Sequence, residues 1–90
     1  MNFEWDYEKA VTNYHKHRLT FEEAATVFGD PLALTFNDPD HSLGEMRMLT
    51  FGITRIGRFV IVSHSEQDSI IRIISARNMT KQEKQIYEEG

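Results

Sequence analysis

The run Ile70-Ile71-Arg72-Ile73-Ile74-Ser75-Ala76-Arg77 constrains this chain more than any other stretch. Its four isoleucines are β-branched, restricted at χ1 and suited to a pleated surface. Regular alternation puts Ile70, Ile74 and Ala76 on one face and Ile71 and Ile73 on the other. A strand apolar on both faces is usually covered on both, so this one belongs inside a sheet rather than at its edge. Two arginines interrupt it. Arg72 and Arg77 stand five residues apart and point to opposite faces if the strand is regular. A guanidinium is costly to bury without a partner. One reading therefore pairs Arg72 with an internal carboxylate and leaves Arg77 at the wet end of the strand. The other has the strand presenting cations to a phosphate.

Upstream, Phe59 to Ser65 and Met46 to Thr54 read as two further strands, and Arg55-Ile56-Gly57-Arg58 as the hairpin between them. Glu66-Gln67-Asp68-Ser69 turns the chain into the isoleucine strand, which completes an antiparallel meander. Leu32 to Phe36 is a fourth strand, followed by the turn-forming loop Asn37 to Ser42. Phe3-Glu4-Trp5 alternates and can add a short strand at the start.

Two helices fall between. Asp6 suits an N-cap, and Tyr7, Val11 and Tyr14 recur at i, i+4 and i+7 as an apolar stripe, with Lys9, Asn13 and Lys16 opposite. The helix ends at His15-Lys16-His17-Arg18, where cations suit the dipole. Thr20 and Glu23 read as a capping box, and Phe21, Ala24, Ala25 and Phe28 as the buried face. Gly29 is placed to supply a left-handed closing residue, and Pro31 prevents resumption. The short link makes an αα-hairpin. A third helix opens on the capping box Thr80 to Glu83. With only Ile86 and Tyr87 as anchors, it is expected to fray or dock poorly.

Ninety residues suit one domain with one modest core. There is no cysteine, so neither a disulfide framework nor a thiolate metal site. The start lacks the basic and apolar regions of a signal peptide, and no apolar run is long enough to span a membrane. A cytoplasmic protein without membrane contact is the expectation. Fourteen acids against ten bases argue mildly against a nucleic-acid binder. Their distribution argues the other way: between Arg47 and Arg77 stand Arg55, Arg58 and Arg72 against only Glu66 and Asp68. The meander is the basic part of an acidic chain.

No metal spacing stands out; His15 and His17, two apart on a helix, face apart. There is no glycine-rich phosphate loop and no nucleophile motif. What remains is acid–base chemistry from His, Glu, Lys and Arg without metal or cofactor.

Several patterns occur in register: Asn13-x-x-Lys16-His17; Phe21-Glu22-Glu23-Ala24 running to Asp30-Pro31; His41-x-x-x-Glu45-x-Arg47; and Ile71 to Arg77, followed by Glu83 and Tyr87. This ordered set resembles the BrnT toxin family over nearly the whole chain. The resemblance implies an α+β, RelE-like fold: an antiparallel sheet with an N-terminal αα-hairpin packed on it and a short C-terminal helix. It implies a metal-independent ribonuclease that inhibits translation. It also implies neutralisation by a BrnA-like ribbon-helix-helix antitoxin in a 2:2 hetero-oligomer, with operator DNA reached only through the antitoxin. An alternative is a binding module that pairs with the antitoxin without cleaving RNA.

Such cleavage must deprotonate a 2′-hydroxyl, stabilise a phosphorane and protonate the leaving oxygen. His17, His41 and Glu45 are the acid–base candidates, and Arg47, Arg72 and Arg77 the phosphate clamps. Lys16, Arg58 and Tyr87 are candidates for holding RNA. Plainer roles compete: a loop hydrogen bond for His41, a surface ion pair for Glu45 and Arg47, and a helix anchor for Tyr87. The chain departs from the family pattern at Arg18, where glycine is usual, at Gln67, often arginine, and in a last helix whose only cations are Lys81 and Lys84.

Overall fold

Residues 1–38 and 46–90 are described by the structure, a computed structural model. The strands are β1 Asn2–Glu4, β2 Leu34–Asn37, β3 Met48–Ile53, β4 Phe59–Gln67 and β5 Ile70–Asn78. The helices are α1 Tyr7–His17, α2 Phe21–Ala25 and α3 Lys81–Glu89, and α2 runs on into a 3₁₀ turn, Thr26–Gly29. The strands form one sheet in the order β1-β5-β4-β3-β2. The meander β3-β4-β5 and the pairing of β2 with β3 are antiparallel, as expected. β1 runs parallel to β5, Asn2 to Glu4 against Ile70 to Arg72, so the sheet is mixed rather than purely antiparallel. This places β5 inside the sheet along its first residues, and leaves its far end beyond the reach of β1.

The β4–β5 turn is tighter than the sequence suggests. Gln67 pairs with Ile70, and the two residues between, Asp68 and Ser69, have φ of 53° and 68°. Two positive-φ residues give the mirror-image turn whose twist matches a hairpin. Glu66 and Gln67 therefore extend β4.

A bulge decides which side of the sheet each β5 residue faces. Ser63 pairs with Ser75, but its neighbour His64 pairs with Ile73, so Ile74 has no partner on β4. One extra residue restarts the alternation. Ile71, Ile73 and Ala76 consequently share one face, where Leu19, Phe21, Ala24 and Val27 cover them together with Val60 and Val62. The expected grouping of Ile70, Ile74 and Ala76 does not occur. The opposite face carries a second cluster, Phe51 and Ile61 under Tyr87 of α3.

α1 presents the face that its apolar stripe does not predict. Tyr7, Val11 and Tyr14 are 77%, 38% and 42% exposed, while Asn13 is buried. Its Oδ1 accepts from Ala76 N at 3.0 Å, and its Nδ2 donates to Leu19 O at 3.2 Å. Past the end of β1, the Ala76 amide has no neighbouring strand to bond. A buried unpaired amide costs about 1–3 kcal/mol. A carboxamide meets that need and a valine cannot, so the polar residue takes the inward position.

α1 ends where expected, and the two caps that follow differ from expectation. Arg18, not a glycine, closes α1 in the left-handed region at φ 53°, its N–H donating to Tyr14 O. Gly29 is not left-handed; the 3₁₀ turn ends in extended Asp30. Thr20 accepts from Glu23 N as expected, but the Glu23 carboxylate does not reach back. It takes Thr54 Oγ1 at 2.9 Å and Arg58 Nη1 at 3.2 Å, and so ties α2 to the β3–β4 turn. The 3₁₀ turn lies close to β3 because Gly52 lacks a side chain. A Cβ there would stand 3.0 Å from Val27 Cβ.

α3 is exposed along most of its length, in keeping with its weak apolar face, and is held at its cap and at Tyr87. Its capping box is complete, Glu83 N donating to Thr80 Oγ1 at 3.2 Å and Thr80 N to Glu83 Oε1 at 2.8 Å. Tyr87 is buried, stacks edge-on against Phe59 and donates to Asp30 Oδ2 at 2.6 Å. Ile86 is 44% exposed and anchors little. Tyrosine carries both the apolar body and the polar tip that the dock requires.

Candidate functional site

The face of the sheet away from α1 and α2 gathers the arginines. Arg72 pairs with Ser65, Ser75 with Ser63, and Arg77 with Ile61, all odd-numbered positions of β4 that share this side. Because of the bulge, Arg72 and Arg77 lie on one face and not on two. Their partners on β4 are four residues apart, which separates them by roughly 13 Å along the sheet. That spacing suits different phosphates of one strand better than a shared one. Arg47 joins them from β3. Asp38 N donates to Arg47 O at 2.9 Å, continuing the β2–β3 ladder by one step, and Met48 beside it pairs with His64 on the helical side. Alternation turns Arg47 the other way. Ser63 and Ser75 supply hydroxyls between the arginines, and Ser65 lies buried opposite Arg72.

Carboxylates already occupy two of the cations. Arg72 Nη1 meets Glu4 Oε2 at 2.8 Å, the two side chains 45% and 48% exposed. The expected buried stem and internal carboxylate are absent: the partner lies on neighbouring β1, in water. Arg77 does sit at the wet end of the strand beside α3, and forms a bidentate pair with Glu83 at 2.7 and 2.8 Å. That pair, together with the Thr80 amide, draws the Glu83 carboxyl down to about 2 against the cost of its partial burial. The capping carboxylate of α3 is thus also the counter-ion of Arg77.

Of the RNA-holding candidates, Arg58 bonds Glu23, Arg18 O at 3.0 Å and Asn78 Oδ1 at 3.4 Å, a structural tether. Tyr87 is sealed under α3. Burial and the Asp30 hydrogen bond push its phenol up to about 12, and it offers no ring for a base to stack on. Asp30 is held low despite its own desolvation, because Tyr87 and the amides of Ile53 and Leu32 all donate to it. Lys16 and His17 lie at the other edge. They line a groove of about 520 Å³ between α1 and β5 that also includes Ser75. His41 and Glu45 fall outside the described residues. Among the described residues no group of His, Asp or Glu side chains could hold a metal ion.

The family model "Ribonuclease toxin, BrnT, of type II toxin-antitoxin system" matches residues 5–83. The chain belongs to this family. BrnT architecture is also what the fold resembles: the 1.1 Å crystal structure of the Brucella abortus ribonuclease toxin BrnT superposes with a TM-score of 0.68 at 23% identity. That match covers 90% of this chain and 99% of the Brucella BrnT chain. No curated protein matches in sequence.

The sequence reading missed the serines and the carboxylate partners of this BrnT face. Ser63 and Ser65 carried a signal, since they alternate with Val62 and His64 in an otherwise apolar strand. Glu4 carried none, because its pairing with Arg72 spans 68 positions.

Proposed function

We propose that this protein is a metal-independent endoribonuclease toxin whose RNA lies across the face bearing Arg47, Arg72 and Arg77. The observation that carries this reading is the bulge at Ile74, which brings Arg72 and Arg77 to one side with the hydroxyls of Ser63 and Ser75 between them. Guanidinium groups match phosphate geometry and stabilise the charge that develops on a phosphorane. His17, at the margin of that face, and His41 and Glu45 are the acid–base candidates. In this reading the fold is RelE-like, with α1 and α2 as its αα-hairpin. The protein acts in the cytoplasm, cutting RNA inhibits translation, and a BrnA-like ribbon-helix-helix antitoxin neutralises the toxin in a 2:2 assembly that alone touches operator DNA. Induction of the protein should arrest growth, and the purified protein should cut RNA in EDTA. Normal growth with RNA intact across substrates would overturn the reading.

One observation favours the alternative, a binding module that pairs with an antitoxin but does not cleave. Arg58, Arg72 and Arg77 are each matched by a glutamate in the free protein. Growth arrest on induction decides between the two readings, since the binding module would leave growth unaffected.

A further inference from the structure

Along α1 an acid, a hydroxyl and a cation stand in a row. Glu8, Thr12 and Lys16 recur every four residues, so they share one side of the helix over roughly 12 Å. All three line the groove between α1 and β5, with His17 beside Lys16 and Ile74 on the opposite wall. Glu8, Thr12, Lys16 and His17 make no side-chain hydrogen bond or ion pair among the described residues. Lys16 is thus an unengaged cation in a protein whose Arg58, Arg72 and Arg77 are all paired.

The groove is continuous with the arginine face. Ser75 lines the groove and, through its pairing with Ser63, also belongs to that face, two residues before Arg77. The bulge that turns Arg77 to this side also leaves Ile74 unpartnered on β4 and in the groove wall.

Resting on the ribonuclease reading, we propose that this groove is a second RNA subsite, which takes one unpaired nucleotide next to those on the arginine face. Its phosphate sits at Lys16, near the β5 edge. Its nucleoside lies along Thr12 against Ile74. The Glu8 end refuses a phosphate and accepts from the amino or imino groups of the base. The groove, about 520 Å³, is open to solvent along its length, which suits a nucleotide of a longer strand rather than an enclosed small molecule. A base-paired nucleotide would carry its partner strand into α1, so the subsite makes the protein selective for single strands.

The test is equilibrium binding of a fluorescent, uncleavable 2′-O-methyl oligoribonucleotide, single-stranded and as a duplex, across a salt series. The wild type should prefer the single strand. Lys16→Ala should weaken single-strand binding about tenfold and lower the salt slope by about 0.7, the loss of one phosphate contact. Thr12→Trp, which fills the groove from an exposed helix position, should weaken it similarly with its melting temperature unchanged. Single-strand affinity and slope unmoved in both variants, or equal affinity for duplex, would overturn the subsite. Because the probe cannot be cut, loss of binding in the variants of a protein that cleaves no RNA would keep the subsite and discard the ribonuclease reading. Cleavage with unmoved binding would do the reverse.

Discussion

Asn13→Leu should be the most damaging single change on α1. The carboxamide is 5% exposed and bonds two backbone groups, Ala76 N and Leu19 O. Leucine is close in size and better as a helix former, so neither volume nor propensity opposes it. What it removes is the partner of a strand-edge amide and of a loop carbonyl. Each buried group left unpaired costs about 1–3 kcal/mol. Greater apolar burial returns roughly 1 kcal/mol, so that two groups at that cost leave a net loss of about 1–5 kcal/mol. In a chain this short, 1 kcal/mol moves the melting temperature by about 4–8 °C, so a fall of at least about 4 °C is expected. Urea denaturation followed by far-UV circular dichroism gives the free energy. Amide hydrogen exchange gives the location: Ala76 N–H should exchange slowly in the wild type and fast in the variant. A loss below 1 kcal/mol, or an Ala76 amide equally protected in both, would show that water satisfies the β5 edge and that Asn13 is incidental to α1 docking.

Four further outcomes follow from the geometry. Arg72→Ala and Arg77→Ala should each abolish growth arrest, Arg72→Ala at a cost of about 1 kcal/mol or less because its pair is exposed, and Arg77→Ala at about 1.5–3 kcal/mol because its bidentate partner Glu83 is only 21% exposed; melting curves beside a growth assay check this, and a fully toxic Arg77→Ala protein refutes the cleavage face. Arg18→Gly should raise stability by about 1 kcal/mol in chemical denaturation by relieving a left-handed arginine, provided the stacking of its guanidinium on Tyr14 is worth less. Tyr87→Phe should lower stability by about 1–2 kcal/mol in the same assay, by removing the hydroxyl that bonds the Asp30 carboxylate. Acid should weaken the fold in two stages. Burial depresses His64 from 6.5 to about 4, so the unfolded chain binds its proton first, and about 3 kcal/mol present above pH 6.5 is lost as pH falls toward 4. Glu83, lowered chiefly by Arg77, adds a loss between about 4.5 and 2. Urea midpoints against pH should show His64→Gln flattening the first stage and Arg77→Ala the second.

The elements were legible in the sequence where local chemistry decides them. Asp6, Thr20 and Thr80 all cap the helices they precede, and the β-branched runs became β4 and β5. Orientation was not legible where a distant group decides it. α1 turned Asn13 inward because β5 had an unbonded amide 63 positions away. α3 looked weak because Tyr87 finds Asp30 57 positions away. The arginines were recognisable as a set, but not as a surface, since neither glycine nor proline marks the bulge at Ile74.

That bulge sets a rule of parity. On a regular strand, two residues share a face only when an even number of positions separates them. Here an odd interval serves, and only because one residue goes uncounted. Deleting Ile74 would leave every arginine and serine of the face in the sequence, yet turn one of Arg72 and Arg77 into the helical core. A relative with an unbulged last strand must space its two cations by four or six, and an alignment that scores identity alone would place one of them in the wrong column.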